Sequence, residues 1–329
     1  MNPIGIFATA IAAAAASLSA TAPAGAQDWP TRPMTMVVAY AAGGPVDTLA
    51  RIFAGRLSEI LGQQVIIENI GGAGGMVGAS RVAKAAPDGY TFLFGGLANL
   101  AQNQTLYKNP LYNAATDFTP VGLVTDSPRV LITRKDFPAN TLAEFMAYVK
   151  ANQAKLQYGS AGGGSGSHVC AILLDGFMGT KITHVPYRGA APAMQDLIGG
   201  RLDYMCEQIS TAFPQIEAGT VKAVAILGLD RVPVLPNLPT AHEQGLAQFD
   251  CGAWSAVVLP PRAPEAIVRK LNKAAGETID TPSVRDRLAA VGVTVIPPER
   301  RSPEYLAKYI PSEIEKWAGP IKASGVQGE

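Results

Sequence analysis

The sequence predicts an α/β fold divided into two lobes. Three observations carry that expectation. Short apolar runs alternate with stretches of helical periodicity, small-residue loops follow two of those runs, and the whole alternation occurs twice along the 329 residues. Strand–helix–strand order of this kind argues for largely parallel sheets.

In the first half, 34–40 (MTMVVAY) reads as a buried strand. Leu49, Ile52, Phe53, Leu57, Ile60 and Leu61 then recur at helical spacing, leaving Arg51, Ser58 and Glu59 outward. A strand over 64–69 precedes the run GGAGG and a short helix over 76–85, and 87–95 is a turn leading into a third strand. The pattern then repeats: a strand over 129–134, a helix over 141–153 opened by a Thr141-x-x-Glu144 capping box, and a strand over 156–160. After the loop AGGGSGS come helices over 168–178 and 190–198 and strands over 182–187, 202–209 and 221–228. A last block holds a strand over 253–260 and helices over 264–279 and 303–318. Crossings near 124–128 and 226–230 would join the lobes, giving domain 1 as 27–126 plus 229–329 and domain 2 as 127–228.

The first charged residue is Asp28, and an alanine-rich apolar run from Ile4 ends at Pro23-Ala24-Gly25-Ala26. Ala24-x-Ala26 fits cleavage before Gln27, so 1–26 is expected to be a signal peptide, although MNPIG lacks the usual basic residue. The other reading of this run is a weak membrane anchor. The first cysteine is Cys170, so no lipid-bearing cysteine lies near the cleavage point, and a soluble periplasmic protein is expected.

Twenty-seven basic residues balance 26 acidic ones without a long basic run, which argues against nucleic acid and anionic membranes as partners. Cys170, Cys206 and Cys251 form no CxxC or Cys/His cluster, so neither a metal nor a cofactor is expected. Either all three are buried free thiols, or two pair and one is left over.

Two segments, AYAAGGPVDT and YGSAGGGSGSH, share one design of strand, small-residue loop and helix start. Ligands of open α/β sheets sit beyond the carboxyl ends of strands, and a helix start offers free N–H groups and a favourable dipole to an anion. The loops match no P-loop and no GxGxxG register. A serine hydrolase built on Ser165 and His168 is disfavoured, because Ser167 stands where GxSxG needs its second glycine. His168 also reads simply as a first-turn helix residue. Asp47 has two readings. As the third helical residue after Gly44 and Pro45 it would stabilise the helix start by ~0.3–1 kcal/mol; alternatively it orders water at a bound anion.

The segments WPTRPMTMVVAYAAGGPVDTLAR, IIENIGGAGGMVGASRVAKAAPDGYTFLFG, DFTPVGLV, LQYGSAGGGSGSH, HVPYRGAAPAMQDLIGGRLDYM and VKAVAILGLDRVPVLPNLPTAHEQGL occur in order across nearly all of the mature chain. Together they resemble the Bug (TctC-like) extracytoplasmic solute receptors of tripartite tricarboxylate transporters. That resemblance implies a type II periplasmic-binding-protein fold, two α/β domains closing around a small carboxylate: a di- or tricarboxylate, an acidic amino acid or an aromatic acid. It implies no enzyme activity, a monomer, and delivery to membrane subunits of the transporter or to a sensor kinase. Carried over residue by residue, one loop maps to Ala42, Gly43, Gly44, Asp47 and Thr48, with backbone and water holding a carboxylate. The other maps to Ser160, Ala161, Gly162, Gly164, Ser165 and His168. Tyr187 and Arg188 lie beside the site, as ligand contacts or as scaffold. Glu207 faces the cleft, accepting from a ligand donor or ordering Tyr204 and Gln208. Neutral donors are expected to suffice without an arginine. Pro45-Val46 and Cys206-Glu207 depart from the family's usual residues and bear on which acid binds.

Overall fold

A computed structural model describes residues 29–247 and 249–325; the expected signal peptide lies outside the described residues. The first sheet begins with β1 (Met34–Val38), β2 (Val65–Asn69) and β3 (Thr91–Gly96), all parallel. Between them run α1 (Pro45–Leu61) and α2 (Met76–Ala83). Helix α1 starts where Pro45 presets the backbone after Gly44, and it ends at Gly62, which takes a left-handed φ of 68°. Its Leu49, Ile52, Phe53, Leu57 and Leu61 are buried, each burial worth about 1.5–3 kcal/mol. A π-helical turn at Ala98–Gln102 and the short α3 (Asn103–Leu106) follow β3.

The chain then crosses. Strand β4 (Thr119–Ser127) belongs to the first sheet, and after Pro128 the next strand, β5 (Arg129–Arg134), belongs to the second. The second lobe continues with α4 (Leu142–Asn152), β6 (Gln157–Ser160), α5 (Gly166–Met178), β7 (Thr183–Pro186) and α6 (Ala190–Ile198). It closes with β8 (Tyr204–Gln208), α7 (Ile209–Glu217) and β9 (Val221–Ile226). The capping box of α4 forms as expected, Thr141 accepting from Glu144 N–H while Glu144 caps the Thr141 backbone. Strand β10 (Ala253–Leu259) returns to the first sheet, followed by α8 (Glu265–Asp280), α9 (Pro282–Ala289), β11 (Thr294–Val295) and α10 (Pro303–Ala323). The sheet orders are β11-β4-β10-β3-β1-β2 and β7-β6-β8-β5-β9.

One sequence expectation needs correction. The sheets are mixed, not largely parallel. Strand β10 runs antiparallel to β3 and β4, and β5 runs antiparallel to β8 and β9, because the crossing strands enter each sheet from the opposite end. The packing after β9 also bears on where the chain returns to the first lobe. Ala241, Leu246, Phe249 and Cys251 pack into the second lobe's core with Leu131 and Tyr158, and Thr240 bridges Ile226. This packing argues for a boundary near Gly252 in place of 228/229, which we propose. Cys170, Cys206 and Cys251 are unbridged and buried in the same core, where burial first, then the neighbouring Cys206 and Cys251, pushes the Cys170 thiol up.

Gly78 illustrates how tightly the first lobe's loop packs. It lies inside α2, yet a Cβ there would meet the Ile70 carbonyl oxygen at 2.5 Å and Ala39 Cα at 2.9 Å. Gly276, in α8, has nothing within 4 Å of that position. Helix propensity alone favours alanine over glycine by about 1 kcal/mol. We therefore expect Gly276→Ala to raise the urea midpoint and Gly78→Ala to lower it; equal stabilisation by both would contradict this packing.

Candidate functional site

The carboxyl ends of β1, β3, β6, β7 and β8 point toward one place, and the antiparallel β5 and β10 begin there. A cleft forms at that place, lined by Tyr40, Gly44, Val46, Leu97, Arg129, Ala161, Ser165, Ser167, Glu207 and Trp254, among others. It holds about 590 Å³ of empty space, part of it open to solvent. Helices α1, α5, α6 and α7 all start on its wall, at Pro45, Gly166, Ala190 and after Gln208. The first N–H groups of a helix have no acceptor within it, and its N-terminus carries a partial positive charge. Four such starts around one space make a cradle for an anion.

Arg129 adds a full charge. It is 4% exposed; its Nη1 donates to the carbonyl of Cys251 (2.5 Å) and to that of Gly252 (3.4 Å), while its Nε has no hydrogen-bond partner. Glu207, 1% exposed, accepts from Thr211 Oγ1 (2.8 Å) on Oε1 and leaves Oε2 unpartnered. Burial raises the Glu207 pKa, opposed by the Thr211 bond and by the Arg129 charge.

The predicted residues divide into groups. Gly44, Ala161, Ser165 and Glu207 line the cleft. Ala42, Gly43, Asp47 and Thr48 line an adjoining groove with Arg51 and Arg287. Asp47 is buried and its oxygens are occupied: Oδ2 accepts from Gly43 N–H (2.9 Å) and Arg51 Nε (2.8 Å), and Oδ1 accepts from Asn69 Nδ2 (2.9 Å). The carboxylate thus clasps the loop that shapes the cleft, from outside its wall. Burial pushes the Asp47 pKa up, but the bonds from Arg51, Gly43 and Asn69 together outweigh it and hold the group below its ordinary value.

The second loop is tied in a similar way. Ser167 Oγ accepts from Ala161 N–H (3.0 Å), and Ser165 Oγ caps α5 by accepting from His168 N–H (3.3 Å). His168 Nδ1 accepts from Gly164 N–H (3.1 Å), so the imidazole braces the loop and does not activate Ser165. His168 lines a separate cavity and stacks on His184 with ring centroids 3.9 Å apart. Burial lowers the two imidazoles to about 3 and about 4, so both are neutral at neutral pH. Ser160 Oγ lies 2.6 Å from His184 Nε2 and accepts from Gly162 N–H (3.1 Å). Tyr187 donates its hydroxyl to Asp196 (2.6 Å) and its N–H to the Ser160 carbonyl (3.1 Å), while Arg188 is exposed.

The loops also meet across the lobes. A Cβ at Gly74, where φ is 59°, would lie 2.6 Å from the Gly163 carbonyl oxygen, so glycine alone permits this approach. Tyr107 Oη donates to that same carbonyl (2.8 Å). The sequence reading missed Arg129, Tyr40 and Trp254. The signal for Arg129 was present, a charge opening an apolar strand directly after proline in PRVLIT.

Residues 49–326 match the model of the tripartite tricarboxylate transporter family receptor. The chain belongs to this family. The periplasmic binding protein BugD is 40% identical, with a TM-score of 0.89 over 92% of this chain and 100% of its own. MatC from Rhodopseudomonas palustris, with bound malate, is 42% identical, with a TM-score of 0.87 over 89% of this chain and 100% of its own. A second R. palustris protein, with adipate, is 34% identical, with a TM-score of 0.86 over 91% and 99%. The receptor therefore has the two-domain binding-protein fold expected from its sequence.

Because the folded Asp47 pKa lies below its unfolded value, the ionised group stabilises the receptor fully above the unfolded pKa of about 3.9. That contribution is lost as the pH falls through the lower folded value. Asp47→Asn should cost about 1.5–3 kcal/mol in urea unfolding at pH 7, and the gap to the parent should shrink below about pH 4. A gap that persists unchanged into acid would contradict this role.

Proposed function

We propose that this receptor captures a small organic carboxylate in the cleft, in the periplasm, and delivers it to the membrane subunits of a tripartite tricarboxylate-type transporter. One observation carries the reading: four helix starts and an Arg129 guanidinium with an unpartnered Nε border a single space. The malate and adipate held by two relatives support the ligand class. The N-terminal leader read from the sequence supports the compartment, and among the described residues no helix is long and apolar enough to cross a membrane.

The cleft wall comes from both lobes. We propose that they part about the crossings at Ser127–Arg129 and Cys251–Ala253 and close on the ligand. Closure removes water and strengthens each hydrogen bond to the carboxylate. Of the predicted residues, Gly44, Ala161, Ser165 and Glu207 would face the ligand. Ala42, Gly43, Asp47, Thr48, Ser160, Gly162, Gly164, His168 and Tyr187 would hold the loops in shape.

A panel of carboxylates screened by thermal shift tests this reading. An acid at 100 times its dissociation constant should add ~2.7 kcal/mol of stability. Arg129→Met should weaken the acid found by about tenfold or more, the loss of a charge-assisted bond. A receptor stabilised by no carboxylate, or an Arg129→Met protein of unchanged affinity, would overturn it.

A further inference from the structure

Two motifs of the sequence, the GGAGG run at 71–75 and the turn Tyr187-Arg188-Gly189 after β7, do not line the cleft. Both lie where the lobes meet. The run passes through four successive left-handed residues, Gly72 (φ 129°), Ala73 (46°), Gly74 (59°) and Gly75 (92°). L side chains resist that conformation, and it persists where the surrounding structure demands it. The path carries Gly74 against the second lobe. A Cβ there would stand 2.6 Å from both the Gly163 carbonyl oxygen and the Gly164 carbonyl carbon. In return, a Cβ on Gly164 would meet the Tyr107 hydroxyl of the first lobe at 2.7 Å. Tyr107 Oη donates across the boundary to the Gly163 carbonyl (2.8 Å). Tyr40 Oη and Asn103 Nδ2 hold the Gly74 carbonyl from within the first lobe, at 3.0 Å each. A second contact joins the other motif: a Cβ on Gly71 would lie 3.2 Å from the Arg188 carbonyl oxygen, and one on Gly189 would lie 2.6 Å from Ala41 Cβ.

We propose that the two motifs form a closure seam, a surface whose partner is the other lobe, and that this seam sets how tightly the receptor holds an acid it does not touch. This rests on the parting of the lobes read above, and on the carboxylate reading for its probe. Backbone meets backbone along the seam because glycine leaves no side chain between. Tyr107 supplies the directional bond. Once the lobes part, its hydroxyl and the Gly163 carbonyl both find water, so the bond contributes only its small net value and the seam reopens readily. A ligand bound by the closed form alone has an apparent affinity scaled by the closed fraction. Loosening the seam therefore weakens binding although no group at the cleft has changed.

Isothermal titration of the full receptor with malate and adipate, on the parent and three variants shown by circular dichroism to fold, tests the proposal. Tyr107→Phe keeps the ring in the first lobe's core and removes the bond across the boundary. It should lose about fivefold in affinity, the net worth of one hydrogen bond. Gly74→Ala sets a methyl group where Gly163 stands and should lose about tenfold or more. Gly62→Ala is the control: its φ of 68° strains alanine similarly, but nothing lies within 4 Å of the new Cβ. Strain present in open and closed forms alike lowers the urea midpoint and leaves affinity unchanged. Parent affinity in either Tyr107→Phe or Gly74→Ala overturns the proposal, as does an equal loss in Gly62→Ala. If the parent binds neither acid nor any other carboxylate, the carboxylate reading fails by itself. Small-angle scattering then decides the seam: Gly74→Ala should have a larger radius of gyration than the parent, and equal radii overturn the proposal.

Discussion

Arg129 carries a positive charge out of water at the junction of the two lobes, and the rest of the site is arranged around it. One arm of its guanidinium is tied to backbone carbonyls of the returning chain, Cys251 and Gly252, while Nε has no partner. A charge removed from water without full pairing costs several kcal/mol, which an anion arriving between the lobes would recover. The four helix starts add partial positive charge without adding side chains that need desolvation. This explains why strands from both sheets end at one point. Each strand end delivers either a helix start or a side chain to the same small space.

The loops that present those helix starts must keep their shape without a ligand. Asp47 does this for the first loop through Gly43, Arg51 and Asn69, and His168, Ser165 and Ser167 do it for the second. An acidic residue next to an anion cradle is then no paradox. Its charge is spent on Arg51 and on a loop N–H, so little of it faces the cleft. The neutral imidazoles of His168 and His184 brace the other loop without competing for the anion.

Much of the fold was legible because apolar periodicity and capping chemistry act locally. The strand before the first glycine loop, the amphipathic α1 and the capping box of α4 can each be read within a window of one element. Strand β4 could not, although it lies inside the first sheet. Pro120 and Gly122 interrupt its apolar run, and its pairing partners β10 and β11 are more than a hundred residues away in the chain. The later return crossing we propose could not be read for a similar reason, since Leu246 and Phe249 lie in an irregular segment whose packing is decided by tertiary contacts. Within the site, the glycine loops were visible as composition. Arg129 was visible only as a charge opening an apolar strand after proline; its importance comes from the junction that surrounds it. The partners of Asp47 were also hidden: Arg51 is one helical turn away, but Asn69 arrives from the next strand.

A structure of the receptor crystallised with the acid that stabilises it most would test the central claim most directly. The account predicts one carboxylate of that acid between Gly44–Val46 and Ser165–Ser167, with an oxygen within about 3 Å of an Arg129 nitrogen. An acid lodged instead in the groove beside His168 and His184, with Arg129 still unpaired, would contradict it.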